Sequence, residues 1–298
     1  MSVASKLSNR TEVLPTVPSA SEPEPRRPGR AVSRPTPSAR RLRGLFISLT
    51  YTLSGALVFA AFWTFLSWRT PELPTPKAAL GTLTDLLSRA FEDGGPNGKG
   101  IGLQFATSMG RTFRGFVLAV MVAVPIGLLI GSSRRAWQAF NPIVQLLRPI
   151  SPLAWFPIGL VILDDAPKAA VLVIFITALW PIVINTAAGA HSVPADQRNV
   201  ARVFKFSRAT YLRRVLIPHT VPSIITGMRL SMGIAWMVIV AVEMLSGGSG
   251  IGFFVWDSYN GGNLKAVIAA VIIIGAIGWL LDAMFTAIGR RYAGEGQK

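Results

Sequence analysis

Long apolar runs with few or no charges, separated by shorter polar segments, dominate the chain from residue 45 onward. The first run, from Leu45 to Ser67, has 23 residues without a charge, which exceeds the core of a signal peptide and suffices to cross a bilayer. Five further runs are also long enough to cross, at about 112–131, 141–163, 169–190, 224–245 and 266–288. The pattern therefore predicts an all-α integral membrane protein with about six transmembrane helices.

The third run predicts a broken helix, because it contains Pro142, Pro149, Pro152 and Pro157. Each proline removes a backbone donor and crowds the preceding turn. A bilayer tolerates the freed backbone groups only where other helices or a water-filled cavity satisfy them. We therefore expect this run to border other helices or an aqueous space.

The second run combines a close-packing signal with two charges at its predicted outer end. Gly127 and Gly131 form a GxxxG pair, which indicates close helix packing without specifying a dimer. Arg111 and Arg114 oppose the usual distribution of positive charge across a membrane. We favour snorkelling toward the interface for both residues and keep an anion entrance as the alternative.

Composition and charge restrict the class of protein further. Hydrophobic residues make up 51% of the chain and charged residues 15%, and the mean hydropathy of +0.46 indicates a multi-span membrane protein. The net charge of +16 does not indicate nucleic-acid binding, because the positive residues gather at the ends of the apolar runs. The absence of cysteine excludes disulfides and thiolate chemistry, and two histidines argue against a histidine metal cluster.

The chain divides into four segments. Residues 1–44 are rich in Pro, Ser, Ala and Arg, and they predict a disordered basic tail in the cytoplasm. Residues 45–103 hold the first transmembrane helix and an external connection, and residues 104–291 hold the core. A short tail, 292–298, follows Arg290-Arg291 and is also expected inside, so both termini are predicted to be cytoplasmic.

A basic segment between the fourth and fifth runs predicts two short helices on the cytoplasmic side. Pro194 suits a first helical turn, and Val200, Val203 and Phe204 recur at helical spacing to form one apolar stripe. Ser207 is placed to N-cap a second helix, which Pro218 and Pro222 are expected to end. Six positive charges accompany the single acid Asp196, at Arg198, Arg202, Lys205, Arg208, Arg213 and Arg214.

This segment resembles the coupling loop of bacterial ABC importer permeases, whose signature runs E-A-A, three residues, G, nine or ten residues, then I-x-L-P. Asn199-Val200-Ala201 stands at E-A-A, Lys205 at the usual Gly, and Leu216-Ile217-Pro218 at the end. The signature Glu and Gly are both replaced, and Lys takes positive φ less readily than Gly, so the turn is where this chain departs. An ordinary positive-inside loop is the alternative interpretation.

The resemblance extends over most of the chain. From about Gln104 to Arg291, the order of spans and loop is similar to permease subunits of nitrate, sulfonate, taurine and bicarbonate importers, which implies a type I ABC importer-like fold. The stretches GPNGKGIG, ARVFKFS and VAVEMLSGGSGIGFFVWDSYNGGN resemble the nitrate/nitrite/cyanate branch. The implied function is that of the permease subunit of an ATP-driven importer of a small anion. Nitrate or nitrite is the preferred substrate assignment, and cyanate comes after them. Sulfonate, taurine or bicarbonate are the alternatives, and a secondary transporter is a more distant one.

The same resemblance implies partners and a location in the bacterial plasma membrane. A second copy of the chain would complete the pathway, two ATPase subunits would bind ATP and magnesium, and a periplasmic or lipid-anchored protein would deliver substrate. The chain itself would bind no cofactor or metal and would catalyse no reaction. The coupling loop would span residues 191–222. Its contacts with the ATPase would fall to Arg198, Asn199, Val200, Ala201, Arg202, Val203, Phe204, Lys205, Ser207 and Pro218, with Phe204 the main anchor.

The residues themselves show no catalytic constellation. Gly98-Lys99 matches half of a phosphate loop, but Asp93 replaces its first Gly and Gly100 its Ser or Thr, so we predict a turn. A membrane enzyme would need an acid/base pair or metal cluster at one depth, and a secondary transporter usually shows inverted repeats and deep charged residues. Polar and ionisable residues within spans are candidates for the pathway, and here these are Asn185, Arg229, Ser231 and Glu243.

Overall fold

The computed structural model describes residues 37–95 and 98–293, and helices dominate this part of the chain. Contacts divide the chain into two units, residues 1–57 and 58–298, and the described part of the first unit is entirely helical. The main helices are α1 (Pro37–Arg69), α2 (Pro76–Ser88), α3 (Ile101–Ser132), α4 (Arg134–Leu147), α5 (Trp155–Leu163), α6 (Ala166–His191), α7 (Ala195–Val203), α8 (Arg208–Tyr211), α9 (Ile217–Ser246), α10 (Ile251–Asn260) and α11 (Leu264–Ala293).

The described residues include five helical stretches long and apolar enough to cross a membrane. The pair formed by α4 and the stretch 152–163 is bent by 82° and makes a sixth crossing if it is counted as one. The break falls at 148–151, between Pro149 and Pro152, so the broken third span is confirmed. With this pair counted, the described residues hold six stretches able to cross a membrane, which is the predicted number.

Several predicted boundaries differ from the observed ones. Helix α1 begins at Pro37, so residues 37–44 are helical and not part of a disordered tail. Proline suits a first turn, and the sequence that follows holds good helix formers that continue into the apolar run. The remainder of the predicted tail, residues 1–36, lies outside the described residues, as do residues 294–298 of the short C-terminal tail.

Helix α3 begins earlier than the apolar run that predicted it. It starts at Ile101, well before the predicted span at 112, and its first turns are buried: Ile101 packs in a cluster with Ala90 and Val255, and Gln104 and Ser108 bond to the backbone that follows α9. Gly100 and Gly102 approach the backbone of Ala90 so closely that a Cβ at either position would clash. In the part of the preceding turn that the structure describes, Asp93 pairs with Lys99 in an isolated antiparallel bridge.

Helix α6 occupies the centre of the second unit and packs between α3 and α9. It is apolar around its circumference, as expected for a helix covered on all sides. Gly127 and Gly131 of α3 lie against Thr186 and Ala187 of α6, where a Cβ would clash. The predicted close helix packing is confirmed within one chain.

Candidate functional site

Residues 191–222, from the last residue of α6 to the first turns of α9, form the segment that we call the coupling segment. It lies at one end of the bundle, where Ser132 and Arg134 share a pocket of about 400 Å³ with His191, Arg198 and Tyr211. We call this the coupling end. The other end of the bundle, where α3 and α6 begin and α9 terminates, is the opposite end.

Helix α7 presents an uncovered apolar face. Ala201 is buried against the rest of the segment, whereas Val200, Val203 and Phe204 are 52%, 78% and 71% exposed. The Phe204 ring is tilted by 42° relative to the Phe206 ring, with 6.4 Å between the two ring centroids. The apolar stripe predicted from spacing exists, and it faces outward, as a docking surface requires.

The end of α7 keeps its turn although glycine is replaced. The Phe206 N–H donates to the Ala201 carbonyl over 2.9 Å, and the Lys205 N–H donates to the Arg202 carbonyl over 3.1 Å. These two bonds form a Schellman motif, whose penultimate position requires a left-handed residue. Lys205 takes that conformation with φ of 49°. The replacement of glycine by Lys205 therefore does not change the geometry of the turn. It raises the free-energy cost of the turn, because a residue with a Cβ adopts the left-handed conformation less readily than glycine.

The second helix of the segment starts as predicted but does not end as predicted. The Ser207 hydroxyl accepts a bond from the Thr210 N–H over 3.2 Å, which confirms it as the N-cap of α8. Helical structure then runs without interruption from Arg208 to Ser246, so Pro218 and Pro222 do not terminate it. A π turn at Leu212–Leu216 widens the backbone just before Pro218, and the first turn of α9 tolerates that proline.

Basic side chains surround the exposed apolar face. All six positive residues of the segment are exposed, and within residues 37–95 and 98–293 none of them forms an ion pair. Arg202 donates only a long bond of 3.3 Å to the Asn199 side chain. A groove of about 530 Å³ runs beside α7. Its lining includes Val200, Ala201, Phe206, Arg214, Pro218 and His219.

Among the pathway candidates, Ser231 and Asn185 are occupied by local bonds. The Ser231 hydroxyl is fully buried and donates to the Ala178 carbonyl over 2.7 Å, so it bridges α9 to α6. The half-buried Asn185 side chain donates to the Pro181 carbonyl of its own helix over 2.8 Å. The structure therefore gives Ser231 a helix-bridging role.

Glu243 lies at the opposite end and is fully buried in a bonded cluster. Its carboxylate accepts from the Ser108 hydroxyl over 2.7 Å, from the Arg111 guanidinium over 2.8 Å, and from the Gly252 N–H over 3.1 Å. Arg111 also donates to the Ser249 carbonyl, so it does not snorkel. The Gln104 side chain accepts from the Gly250 N–H over 2.6 Å. We call these residues the Glu243 cluster.

Two glycines make the Glu243 cluster possible. Gly250 has φ of 124°, and a Cβ there would meet the Glu243 carboxylate. A Cβ on Gly252 would meet the Val240 backbone. The loop between α9 and α10 therefore closes over a buried ion pair that joins α3 to α9, which sequence spacing alone did not reveal.

Arg229 pairs with Asp282 of α11 through two parallel bonds of 2.6 and 2.8 Å. Unlike the Arg111–Glu243 pair, this one is about half exposed in the single chain. A charged pair on the surface of membrane-spanning helices is expected to face another protein surface or water and not lipid.

A residue that the sequence interpretation overlooked lies at the break between α4 and α5. Arg148 is exposed and lines a cavity of about 260 Å³ with Ser151, Trp155, Thr177, Trp180 and Ile234. Its side chain forms no hydrogen bond or ion pair within residues 37–95 and 98–293. The signal was present in the sequence, because a charge interrupts the predicted span at 141–163.

Comparison with known proteins gives consistent results. Residues 123–294 match the family described as binding-protein-dependent transport system inner membrane component. The nitrate import permease protein NrtB of Synechocystis sp. is 47% identical over 226 residues, which cover 76% of this chain and 82% of that protein. The bicarbonate transport system permease protein CmpB of Synechococcus elongatus is 41% identical, covering 84% of this chain and 91% of that one.

A solved structure supports the fold. A chain of the MetNI methionine ABC transporter, in inward-facing conformations, superimposes with a TM-score of 0.58 and covers 71% of this chain and 98% of its own. Its sequence is only 16% identical, so this likeness concerns the fold alone.

Proposed function

This chain belongs to the family of binding-protein-dependent transport system inner membrane components, and from that premise we propose that it imports nitrate by coupling its pathway to a partner ATPase. It is a multi-pass inner-membrane permease subunit of an ABC importer. Importers of this type operate with ATPase and substrate-binding partners. We further propose that a second copy of this chain completes the translocation pathway.

The coupling surface is the feature on which the proposal chiefly rests. Val203 and Phe204 are more than 70% exposed and stand at the tip of a short, capped helix rather than on a lipid-facing span. Unpaired basic side chains surround them. An apolar anchor with a basic rim suits a partly acidic groove on a soluble ATPase subunit. We assign ATP and magnesium binding to that partner, and we place the coupling segment and both termini in the cytoplasm.

The helical run from Arg208 to Ser246 gives the coupling segment a continuous connection through the membrane. At about 1.5 Å per residue, it is long enough to carry a displacement from one end of the bundle to the other. Closure of two ATPase subunits on ATP would move the two coupling segments of a homodimer and shift the pathway between inward-open and outward-open states. The bias comes from a ligand bound to another chain.

Nitrate is the substrate we propose, with bicarbonate as the alternative. Two NrtB relatives are 47% identical to this chain, above the 41% of CmpB, whereas the NrtB of Synechococcus elongatus is also 41% identical, and the CmpB match extends over more of the chain. A net charge of +16 is compatible with a small anionic substrate, but it does not distinguish nitrate from bicarbonate or from sulfonates.

Reconstitution of the chain with its ATPase and binding protein tests both parts of the proposal. Nitrate is expected to stimulate ATP hydrolysis and to accumulate in proteoliposomes, whereas bicarbonate, cyanate and taurine are the competing substrates. A response to bicarbonate alone would replace nitrate and leave the coupling surface intact. Accumulation by the purified chain without an ATPase would instead support a secondary transporter and refute the coupling surface.

A further inference from the structure

Helix α4 carries a polar stripe that leads to Arg148. The stripe follows alternating spacings of four and three residues, which place its members on one face of a helix. Its members are Arg134, Gln138, Asn141, Gln145 and Arg148. Arg148 keeps right-handed helical dihedrals, with φ of −59° and ψ of −40°, so the stripe continues through the end of α4.

The stripe enters the membrane. At its start, Arg134 shares a pocket with Ala190 and His191, at the coupling end of α6. At its finish, Arg148 shares a cavity with Thr177 and Trp180, near the middle of α6. Those levels are separated by about 15–20 Å along α6, nearly the ~21 Å length of α4. Helix α4 therefore runs inward beside α6 and does not lie on the membrane surface.

The side chains of this stripe have no partners within residues 37–95 and 98–293. Gln138, Gln145 and Arg148 are exposed, Asn141 is half-buried, and no hydrogen bond or ion pair engages their side chains there. Lipid does not accept such groups, and a bend with exposed backbone at 148–151 is tolerated only beside protein or water. The stripe therefore faces an aqueous space or another polypeptide.

Within residues 37–95 and 98–293, the membrane-crossing stretches contain no unpaired acid that could neutralise Arg148. Of the chain's Asp and Glu residues, only Glu243 and Asp282 lie within the stretches that cross the membrane, and both are already paired, with Arg111 and Arg229. A second copy would offer the same two occupied carboxylates. An unpaired guanidinium at this depth, bordered by amide donors, matches an oxyanion, which guanidinium binds through two parallel bonds.

We propose that the α4 stripe lines the translocation pathway from mid-membrane to the coupling end and that Arg148 binds the oxyanion in transit. The inference rests on the proposed import of a small anion and adds where that anion binds within this chain. The cavity of about 260 Å³ beside Arg148 has room for such an anion with several waters.

Arg148→Gln in the reconstituted complex is the first test. Loss of one charge-assisted interaction is expected to lower substrate-stimulated uptake about 10- to 100-fold, while Arg148→Lys retains part of it. The control is Arg89→Gln, which removes an exposed arginine in the connection between α2 and α3, outside this cavity, and should leave uptake near that of the parent. Assembly with the ATPase and basal ATP hydrolysis are measured in each variant, and they should be unchanged.

Cysteine labelling reports the access of water to a chosen position, which a loss of stability alone would not mimic. The chain has no cysteine, so Arg148→Cys, Gln145→Cys and Ile143→Cys each introduce a single thiol. Water-soluble methanethiosulfonates should modify positions 145 and 148 and spare Ile143→Cys, which lies on the opposite face of α4 and is 50% exposed. Nitrate should protect position 148, and a positively charged reagent, but not a negative one, should restore uptake to Arg148→Cys.

The outcomes separate this inference from the proposed function. If the parent complex transports bicarbonate and not nitrate, the substrate changes, and the same variants are compared with bicarbonate. If Arg148→Gln transports as well as the parent, or if neither stripe position reacts from either side of the membrane with or without ATP, the α4 stripe is not the pathway.

Discussion

The two ends of the helical run from Arg208 to Ser246 differ in whether their charged side chains are exposed or buried and paired. At the coupling end, six basic side chains are exposed and form no ion pair in the described chain, and the Phe204 side chain is 71% exposed. At the opposite end, Glu243 is fully buried and accepts from Ser108, Arg111 and Gly252. One end is prepared to bind another molecule, and the other is already closed within the chain.

This contrast indicates which contacts are permanent. A buried ion pair with all its donors satisfied fixes one arrangement of the elements that supply them, because breaking it leaves an unpaired charge in a low dielectric. Exposed charges contribute little to the stability of the chain. Their interactions become stronger when a binding partner covers them and excludes water. We therefore expect the Glu243 cluster to stay rigid and the coupling segment to bind and release a partner subunit.

Replacing Glu243 by Ala should have the largest effect. It leaves Arg111 buried beside Ser249 without its carboxylate, which typically costs about 3–5 kcal/mol. We expect a marked fall in the thermal stability of the purified chain in detergent. The double variant Arg111→Ala/Glu243→Ala should lose less than the sum of the two single variants, because it removes both charges.

Glu72→Ala is the matched control for that change. Glu72 is an exposed carboxylate with no ion pair in the described residues, so its removal should alter stability by less than about 0.5 kcal/mol. Equal melting temperatures for Glu243→Ala and Glu72→Ala would remove the distinction between the two ends.

Phe204→Ala should have the second largest effect, and it should act on coupling and not on folding. Truncation of an interface anchor commonly costs 2 kcal/mol or more, so affinity for the ATPase should fall at least about 30-fold. Because the ring is 71% exposed, the melting temperature of the isolated chain should hardly change. Leu212→Ala, an exposed position outside the apolar stripe, serves as the control. Undiminished uptake and ATPase stimulation in Phe204→Ala would refute the assignment.

Sequence periodicity was sufficient for the crossings, the exposed stripe of α7 and the Ser207 cap, because each depends on residues close together in the chain. It was insufficient for Glu243, whose partners lie more than a hundred positions away at Ser108 and Arg111. The prediction that Pro218 and Pro222 end a helix was wrong: Pro218 follows a π turn and stands in the first turn of α9, where proline is tolerated, and α9 continues through Pro222 in its interior. Arg148 could not be placed from the sequence, because its exposure depends on the 82° bend between α4 and the stretch that follows it.

Lys205→Gly should have the smallest effect and sharpens the comparison within the coupling segment. A non-glycine residue in the left-handed region costs about 1 kcal/mol, so glycine should strengthen the Schellman turn by roughly that amount. Exchange of the Phe206 amide hydrogen, which bonds to Ala201, should slow about fivefold in the isolated chain. Lys205→Ala removes the same charge but keeps the Cβ, so it should show no such protection.

If Lys205→Gly is better protected yet binds the ATPase more weakly, the lysine is retained for its charge at the interface. If both properties improve, its charge contributes nothing to docking, and the basic rim must act through the other five residues.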